Sequence, residues 1–404
     1  MPRFSRRLAA GVSFCALLIA LAGPAEADHV TGAQAQGPST LFGTSGSSRE
    51  HIVSKNRLFC YAGTLGALVT ADGKNYVLSN NHVLAKENRN LDQGTGLDEQ
   101  IIQPGLLDQG QCTINTGSGD ATAAVLSDYV EIYFSKGKTK PDNFVDAAIA
   151  EVVTGQLSAS GEILGTGPLG VGTLDAAMDM AVQKTGRTTG HTFGTVVATQ
   201  VTIDVKYDSG TARFVDQLRI RHVCDGADFS QAGDSGSLVA SVPSGGRPVA
   251  VGLLFAGGDV DTFANPIGAV LDALAADAAY SQHGSVSMVG ASGSAAADVS
   301  DAGFQSAATN CDSGGNGGRP GGRPFDGIDP VGLSIAGDVK ARNSKRIFAL
   351  PDVVGHGIGV DEDGNAVIEI YVANQAKRAA GKPLPTQIEG VPVRVVATGR
   401  VRAF

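Results

Sequence analysis

The chain has 404 residues, of which 55 are glycine and none tryptophan, and it carries a formal net charge of −9. This length admits one large and one small domain, and the acidity argues against nucleic acid or an anionic membrane surface as partner. At the N-terminus, Arg3, Arg6 and Arg7 precede an apolar run from Leu8 to Ala22 and the small-residue end Gly23-Pro24-Ala25-Glu26-Ala27. That is the pattern of a secretory signal peptide, residues 1–27, cleaved after Ala27. Its removal takes three arginines and one glutamate, leaving a more acidic chain with no stable membrane anchor expected. Residues 28–57 are polar and rich in Gly, Ser and Thr, and are expected to form a flexible leader.

From Cys60 onward, short runs rich in Val, Ile, Leu, Tyr and Thr recur between Gly, Asp and Asn turns. The strands expected are Gly66 to Thr70, Tyr76 to Ser79, Tyr129 to Phe134, Ala148 to Val153, Thr195 to Val205 and Gln217 to Val223. This spacing predicts an all-β barrel or sandwich rather than an alternating α/β fold. The clearest helix is Ile267 to Ala279, closing a domain spanning 58–280. Composition then falls to Gly, Ser, Ala and Asp across 281–325, with too little apolar surface to offset ordering entropy, so a linker is expected. A small accessory domain, 326–404, β-rich or α+β, follows with strands at Val353 to Val360, Ala366 to Val372 and Val391 to Thr398. Asp361-Glu362-Asp363-Gly364-Asn365 between the first two is expected as a plain hairpin turn, because its glycine falls at the fourth and not the sixth position of a calcium loop.

After signal removal the cysteines are Cys60, Cys112, Cys224 and Cys311, an even number in an oxidising compartment. Three pairings are possible. Cys60 with Cys112 is favoured because both flank the His82 region, which leaves Cys224 with Cys311.

Three short blocks carry chemistry. Gly233-Asp234-Ser235-Gly236 holds a serine between glycines, which let the backbone turn its N–H groups toward one point. His82 ends the β-type run from Lys74 to Asn81, and Asp146 opens the apolar run Asp-Ala-Ala-Ile-Ala-Glu-Val-Val. A serine hydroxyl attacks a carbonyl well only when an imidazole takes its proton and a carboxylate holds that imidazole in the right tautomer. Taken singly, each block has an ordinary structural reading: a surface turn, a hydrogen-bonded histidine, a strand-edge aspartate. The order His, Asp, Ser, with Ser237 where Gly-x-Ser-x-Gly needs glycine, disfavours an α/β-hydrolase. The seven histidines form no His-x-x-x-His pair, so neither metal nor other cofactor is expected.

Together, Leu78-Ser79-Asn80-Asn81-His82-Val83, Asp146-Ala147-Ala148-Ile149 and Gly233-Asp234-Ser235-Gly236-Ser237 resemble the His, Asp and Ser blocks of trypsin/chymotrypsin-like serine peptidases. Asn-Asn-His-Val and Leu-Leu-Phe-Ala-Gly are most similar to bacterial relatives of the plant narrow-leaf-type trypsin-like proteins. The resemblance spans about residues 58 to 275 and implies a chymotrypsin-like fold of two six-stranded antiparallel β-barrels, with His82 and Asp146 in the first and Ser235 in the second. It implies catalytic roles for His82, Asp146 and Ser235, and an oxyanion hole from the N–H groups of Gly233 and Ser235. It further implies substrate binding by Phe229, at the base of the primary specificity pocket, and by Leu254, Phe255, Ala256 and Gly257, on the strand that pairs with the substrate backbone. Phe229 cannot pair with Lys or Arg, so small or apolar residues are expected before the scissile bond, unless Asp228 reaches the pocket. Asp234 needs a cationic partner, for which Arg187 is the candidate. The function expected is an exported serine endopeptidase acting on proteins or peptides; the alternative is a catalytically silent, peptidase-like binding or scaffold protein, with the insertion between Asn88 and Asn143 placed to cover the cleft. Oligomeric state is left open.

Overall fold

The computed structural model describes residues 39–49, 52–54, 58–88, 100–109, 112, 122–243, 245–280, 283–291, 304–305, 307–308, 311, 328–373 and 383–404. The signal-peptide assignment and the Gly-rich tract 314–324 lie outside the described residues. In chain order the first strands are β1 (Thr44–Ser48), β2 (Ile52–Ser54), β3 (Leu58–Cys60), β4 (Gly63–Leu65), β5 (Ala67–Ala71) and β6 (Lys74–Ser79). A four-residue helix, α1 (Asn81–Leu84), precedes β7 (Gln100–Ile102), β8 (Thr122–Tyr129), β9 (Asp142–Asn143) and β10 (Ala148–Val152). The second half contributes β11 (Ala181–Gly186), β12 (Gly190–Lys206), β13 (Thr211–His222), β14 (Leu238–Ser241), β15 (Ala250–Gly257), β16 (Thr262–Pro266) and α2 (Ile267–Ala276). After β17 (Val286–Met288) come α3 (Pro330–Phe348), β18 (Val353–Val360), β19 (Ala366–Val372), β20 (Gln387–Ile388), β21 (Val391–Ala397) and β22 (Arg402–Ala403).

The architecture is mainly β and consistent with the chymotrypsin-like double barrel expected from the sequence. The first sheet runs β17-β5-β6-β10-β8-β7-β1-β4; the second runs β20-β21-β19-β18-β12-β11-β14-β15-β16-β13-β9, with β22 joining β12 and β15. The sheets are therefore eight- and twelve-stranded rather than six-stranded, and three pairings, β9 with β13, β19 with β21 and β12 with β22, are parallel. The β5–β6 hairpin turns on Asp72 and Gly73, at φ +50° and +75°, the two positive values that a type I′ turn requires. That turn fixes β6, whose end delivers α1.

Four stretches differ from the sequence-based expectation. Within 28–57, β1 is buried and sits between β4 and β7, so this part of the leader is barrel wall. Within 281–325, Val286–Met288 pairs with β5 and buries Val286 and Met288 in the core. The strand expected at Tyr129 to Phe134 instead ends at Tyr129; Val130 N still donates to Ala147 O, but beyond it side chains take the amides, Ile132 N donating to Asn88 and Tyr133 N to Asn143. Last, α3 was not anticipated. Asp329 caps it by accepting from Val331 N, Pro330 occupies its first turn, and Lys345 and Arg346 lie in its last.

Helix α3 packs Ala336, Val339 and Ile347 against Ile358, Ile368 and Ile370 of β18 and β19, forming a small core of its own. Yet β18 pairs with β12 (Thr199↔Ile358, Thr202↔His356), so the C-terminal layer is continuous with the second sheet. The Asp361 carboxylate accepts from Asp363 N and Asn365 N and closes the β18–β19 hairpin. Disulfides join Cys60 to Cys112 and Cys224 to Cys311, as favoured from sequence.

Candidate active site

Strands β6 and β10 pair with Ala148 opposite Ser79, a register that carries the residue two before Ala148 to the level of the segment following β6. Asp146 and His82 meet there. His82 Nδ1 lies 2.5 Å from Asp146 Oδ2, and the His82 backbone N–H donates to Asp146 Oδ1 at 3.2 Å. Tyr207 OH donates to the same Oδ2 at 2.8 Å. The aspartate's own backbone is pinned as well, its N–H by Asn265 Oδ1 and its carbonyl by Asn80 Nδ2. Three donors hold this fully buried carboxylate in one orientation.

Burial by itself depresses the His82 pKa, but the Asp146 charge and hydrogen bond on one side and the Phe404 carbonyl on the other raise it above the ordinary histidine value. His82 Nε2 lies 3.1 Å from that Phe404 oxygen. Both ring nitrogens thus face acceptors, an arrangement satisfied only by the doubly protonated imidazolium. For Tyr207, desolvation and the adjacent Asp146 charge push the phenol pKa well up, keeping it a donor.

Ser235 sits on a loop tied to β4, which Ser79 in turn ties to β6, the strand that leads to His82. Thr64 N donates to Ser235 O at 2.8 Å, Thr64 Oγ1 to Gly233 O at 3.0 Å, and Ser79 Oγ to Thr64 O at 2.7 Å. Gly233 and Gly236 have φ of +99° and +90°, and a Cβ on Gly236 would collide with Ser79 and Thr64, so glycine is required there for two reasons. The Ser235 hydroxyl donates to Phe255 O at 3.3 Å rather than to His82.

Asp234 is fully buried, and its carboxylate accepts from Thr188 N, Thr189 N, Thr189 Oγ1 and Gln231 N. Its cationic partner is Lys184, 3.6 Å away and fully buried, not Arg187. Arg187 instead forms a two-pronged pair with Asp108, both bonds 2.6 Å. The reason is position along the chain: Lys184 points inward from β11, whereas Arg187 lies beyond the strand end and reaches the insertion. Burial lowers the Lys184 pKa, and Asp234 opposes that shift.

Among the proposed substrate-binding residues, Phe229 is buried in the second barrel's core with Val196, Ile220 and Leu254. Phe255 O receives the serine hydroxyl, and Ala256 and Gly257 pair with Ala403 and Arg402 of β22. A cavity of about 740 Å³ is lined by His82, Gly63, Gly233, Gly257, Leu107 of the insertion and Phe404. Of the insertion expected to cover the cleft, residues 89–99, 110–111 and 113–121 lie outside the described residues, and β7 and β8 belong to the first sheet. Among the described residues, no group of three or more His, Cys, Asp or Glu is arranged to hold a metal ion.

Sequence reasoning missed Tyr207, Asn265, Lys184 and Phe404. Lys184 had a signal, since it occupies an inward position of a strand beside Gly-Asp-Ser-Gly; Tyr207 ends a β run like any other aromatic and had none.

No family model matches this sequence, and no curated protein matches it. Among solved structures it is similar to a glutamic acid-specific serine protease, at 20% identity and a TM-score of 0.38 over 61% of this chain and 99% of that one. Thermobifida fusca protease A gives 16% and 0.37 over 62% and 98%, and the Cellulomonas bogoriensis chymotrypsin 18% and 0.35 over 62% and 98%.

Proposed function

We propose that this chain is an exported serine endopeptidase that hydrolyses proteins or peptides through His82, Asp146 and Ser235. The observation that carries the reading is the 2.5 Å pair between His82 Nδ1 and the buried Asp146 carboxylate, with Tyr207 fixing the same oxygen. Asp146 holds the proton on Nδ1 and leaves Nε2 as the base. Once Nε2 is deprotonated and free, it takes the Ser235 proton as Oγ attacks the substrate carbonyl carbon. The tetrahedral oxyanion is met by the N–H groups of Gly233 and Ser235, each such donor being worth roughly 3 kcal/mol. Imidazolium then protonates the leaving amine, an acyl-enzyme remains on Ser235, and water releases it by the same base. The two disulfides fit export to an oxidising compartment.

A second reading, a silent binding protein, draws on the Ser235 hydroxyl donating to Phe255 O and on the full burial of Ser235. Labelling with a fluorophosphonate probe separates the two. The peptidase labels and its Ser235→Ala variant does not; a wild-type chain that stays unlabelled, with its C-terminal strand removed as well as intact, is the binding protein.

A further inference from the structure

We infer that the segment Val401–Phe404 is a built-in, substrate-like occupant of the cleft, and that the substrates it imitates carry an aromatic residue immediately before the scissile bond. This rests on the peptidase reading above and names the substrate class and regulation of that same site.

Four observations converge. After β21 the chain turns at Gly399, φ +71°, packed so closely on Asp259 that a Cβ would collide with its carboxylate, and Asp259 N donates to Thr398 O at 3.0 Å. The turn aims the following residues between the ends of β12 and β15. There Val401 O accepts from Lys206 N at 3.0 Å, while Arg402 and Ala403 pair antiparallel with Gly257 and Ala256, the strand expected to hold a substrate backbone. The Phe404 ring lies over Gly257, where any Cβ would fall inside it, and it packs against the apolar cluster containing Phe229, Val196 and Ile220. Its carbonyl oxygen accepts from His82 Nε2, the nitrogen that the Ser235 proton has to reach.

Chemically this is an extended peptide in register, with Phe404 in the pocket beside the reacting groups, a small Ala403 before it and an exposed Arg402 before that. Gly257 matters because its missing side chain is the space the aromatic ring fills. With the segment seated, Nε2 is engaged and the backbone edge of β15 is used, so a peptide substrate enters only when the segment leaves. The expectation of small or apolar residues before the scissile bond is thereby sharpened to an aromatic one.

The test compares the full chain, a chain ending at Val401, and full-length Phe404→Ser, the last covering the case in which shortening impairs folding. Each is labelled with a fluorophosphonate and offered Val-Arg-Ala-X anilides with X as Phe, Ala, Lys or Asp; binding of the free tetrapeptide Val-Arg-Ala-Phe is followed by calorimetry. Both altered chains should label about tenfold faster than the full chain, as for a cleft nine-tenths occupied. They should also prefer X as Phe, and the tetrapeptide should bind them and slow labelling. Equal labelling of all three with no tetrapeptide binding overturns the occupant, and preference for Lys or Asp overturns the aromatic assignment. Tetrapeptide binding without labelling of any chain keeps the occupant and removes the peptidase reading instead.

Discussion

The two halves of the site neutralise their buried carboxylates by different means. In the first, Asp146 is fully buried and faces a histidine, His82, at 2.5 Å. In the second, Asp234, Asp261 and Glu369 are equally buried and face Lys184, Arg219 and Arg221. A histidine changes charge near neutral pH, whereas an arginine does not. The difference teaches that Asp146 faces a partner that titrates near neutral pH, while Asp261 and Glu369, at the C-terminal layer, are braced by arginine charge that does not.

The comparison breaks most completely at the reacting groups. Ser235→Ala or His82→Ala should each lower kcat by about a millionfold, measured on an aromatic anilide with the C-terminal strand removed; Ser235→Ala should leave the denaturation midpoint little changed, whereas His82→Ala, which strips buried Asp146 of its partner, should lower it. Asp146→Asn should cost about 10⁴-fold, since the amide imposes the wrong tautomer on His82. In the second half the effect falls on folding. Glu369→Ala leaves Arg219 with half its carboxylate partners and removes the acceptor of Tyr371 and Arg394, so stability should drop by about 3–5 kcal/mol by urea denaturation.

The pH dependence sharpens the contrast. Because the His82 pKa is raised, the neutral base appears only as pH climbs through that raised value, so kcat/KM should reach half-maximum above the ordinary histidine value of 6.5. The ionised His82–Asp146 pair adds stability that is fully present below the unfolded pKa and is lost as pH rises through the folded one. Phe404 contributes to the shift, so removing the C-terminal strand should move the His82 midpoint downward in an NMR titration. Tyr207→Phe should have the smallest effect of this set, about tenfold in kcat/KM with a displaced pH midpoint, because two donors to Asp146 remain.

Much of this was legible in the sequence where local pattern and structure coincide. The runs at Val353 to Val360 and Ala366 to Val372 are the strands β18 and β19, and the helix begun at Ile267 closes at Ala276, three residues short of the expected end. His82 and Asp146, which the structure brings together, were legible because each sits in a block with recognisable neighbours. Helix α3 escaped because its buried face includes Gly337, Lys340 and Asn343, which blur the apolar period although the capping signals were present. The true partner of Asp234 escaped because Lys184 and Arg187, three residues apart, offer the same charge, and only the strand's inward alternation tells them apart. Phe404 escaped for a deeper reason: its role depends on a turn at Gly399 and on pairing with a strand some 150 residues earlier, a non-local fact that no window of sequence contains.

Strand β12, seventeen residues long, is flanked along its length by β11, β13, β18 and the end of β22. Cutting the chain after the peptidase-like region would therefore strip hydrogen-bonding partners from that strand and expose Ile203 and its neighbours along a raw sheet margin, a template for self-association. Recombinant work on this protein should retain residues 328–404, since what resembles an appendage in the linear order is the closing seam of the second barrel.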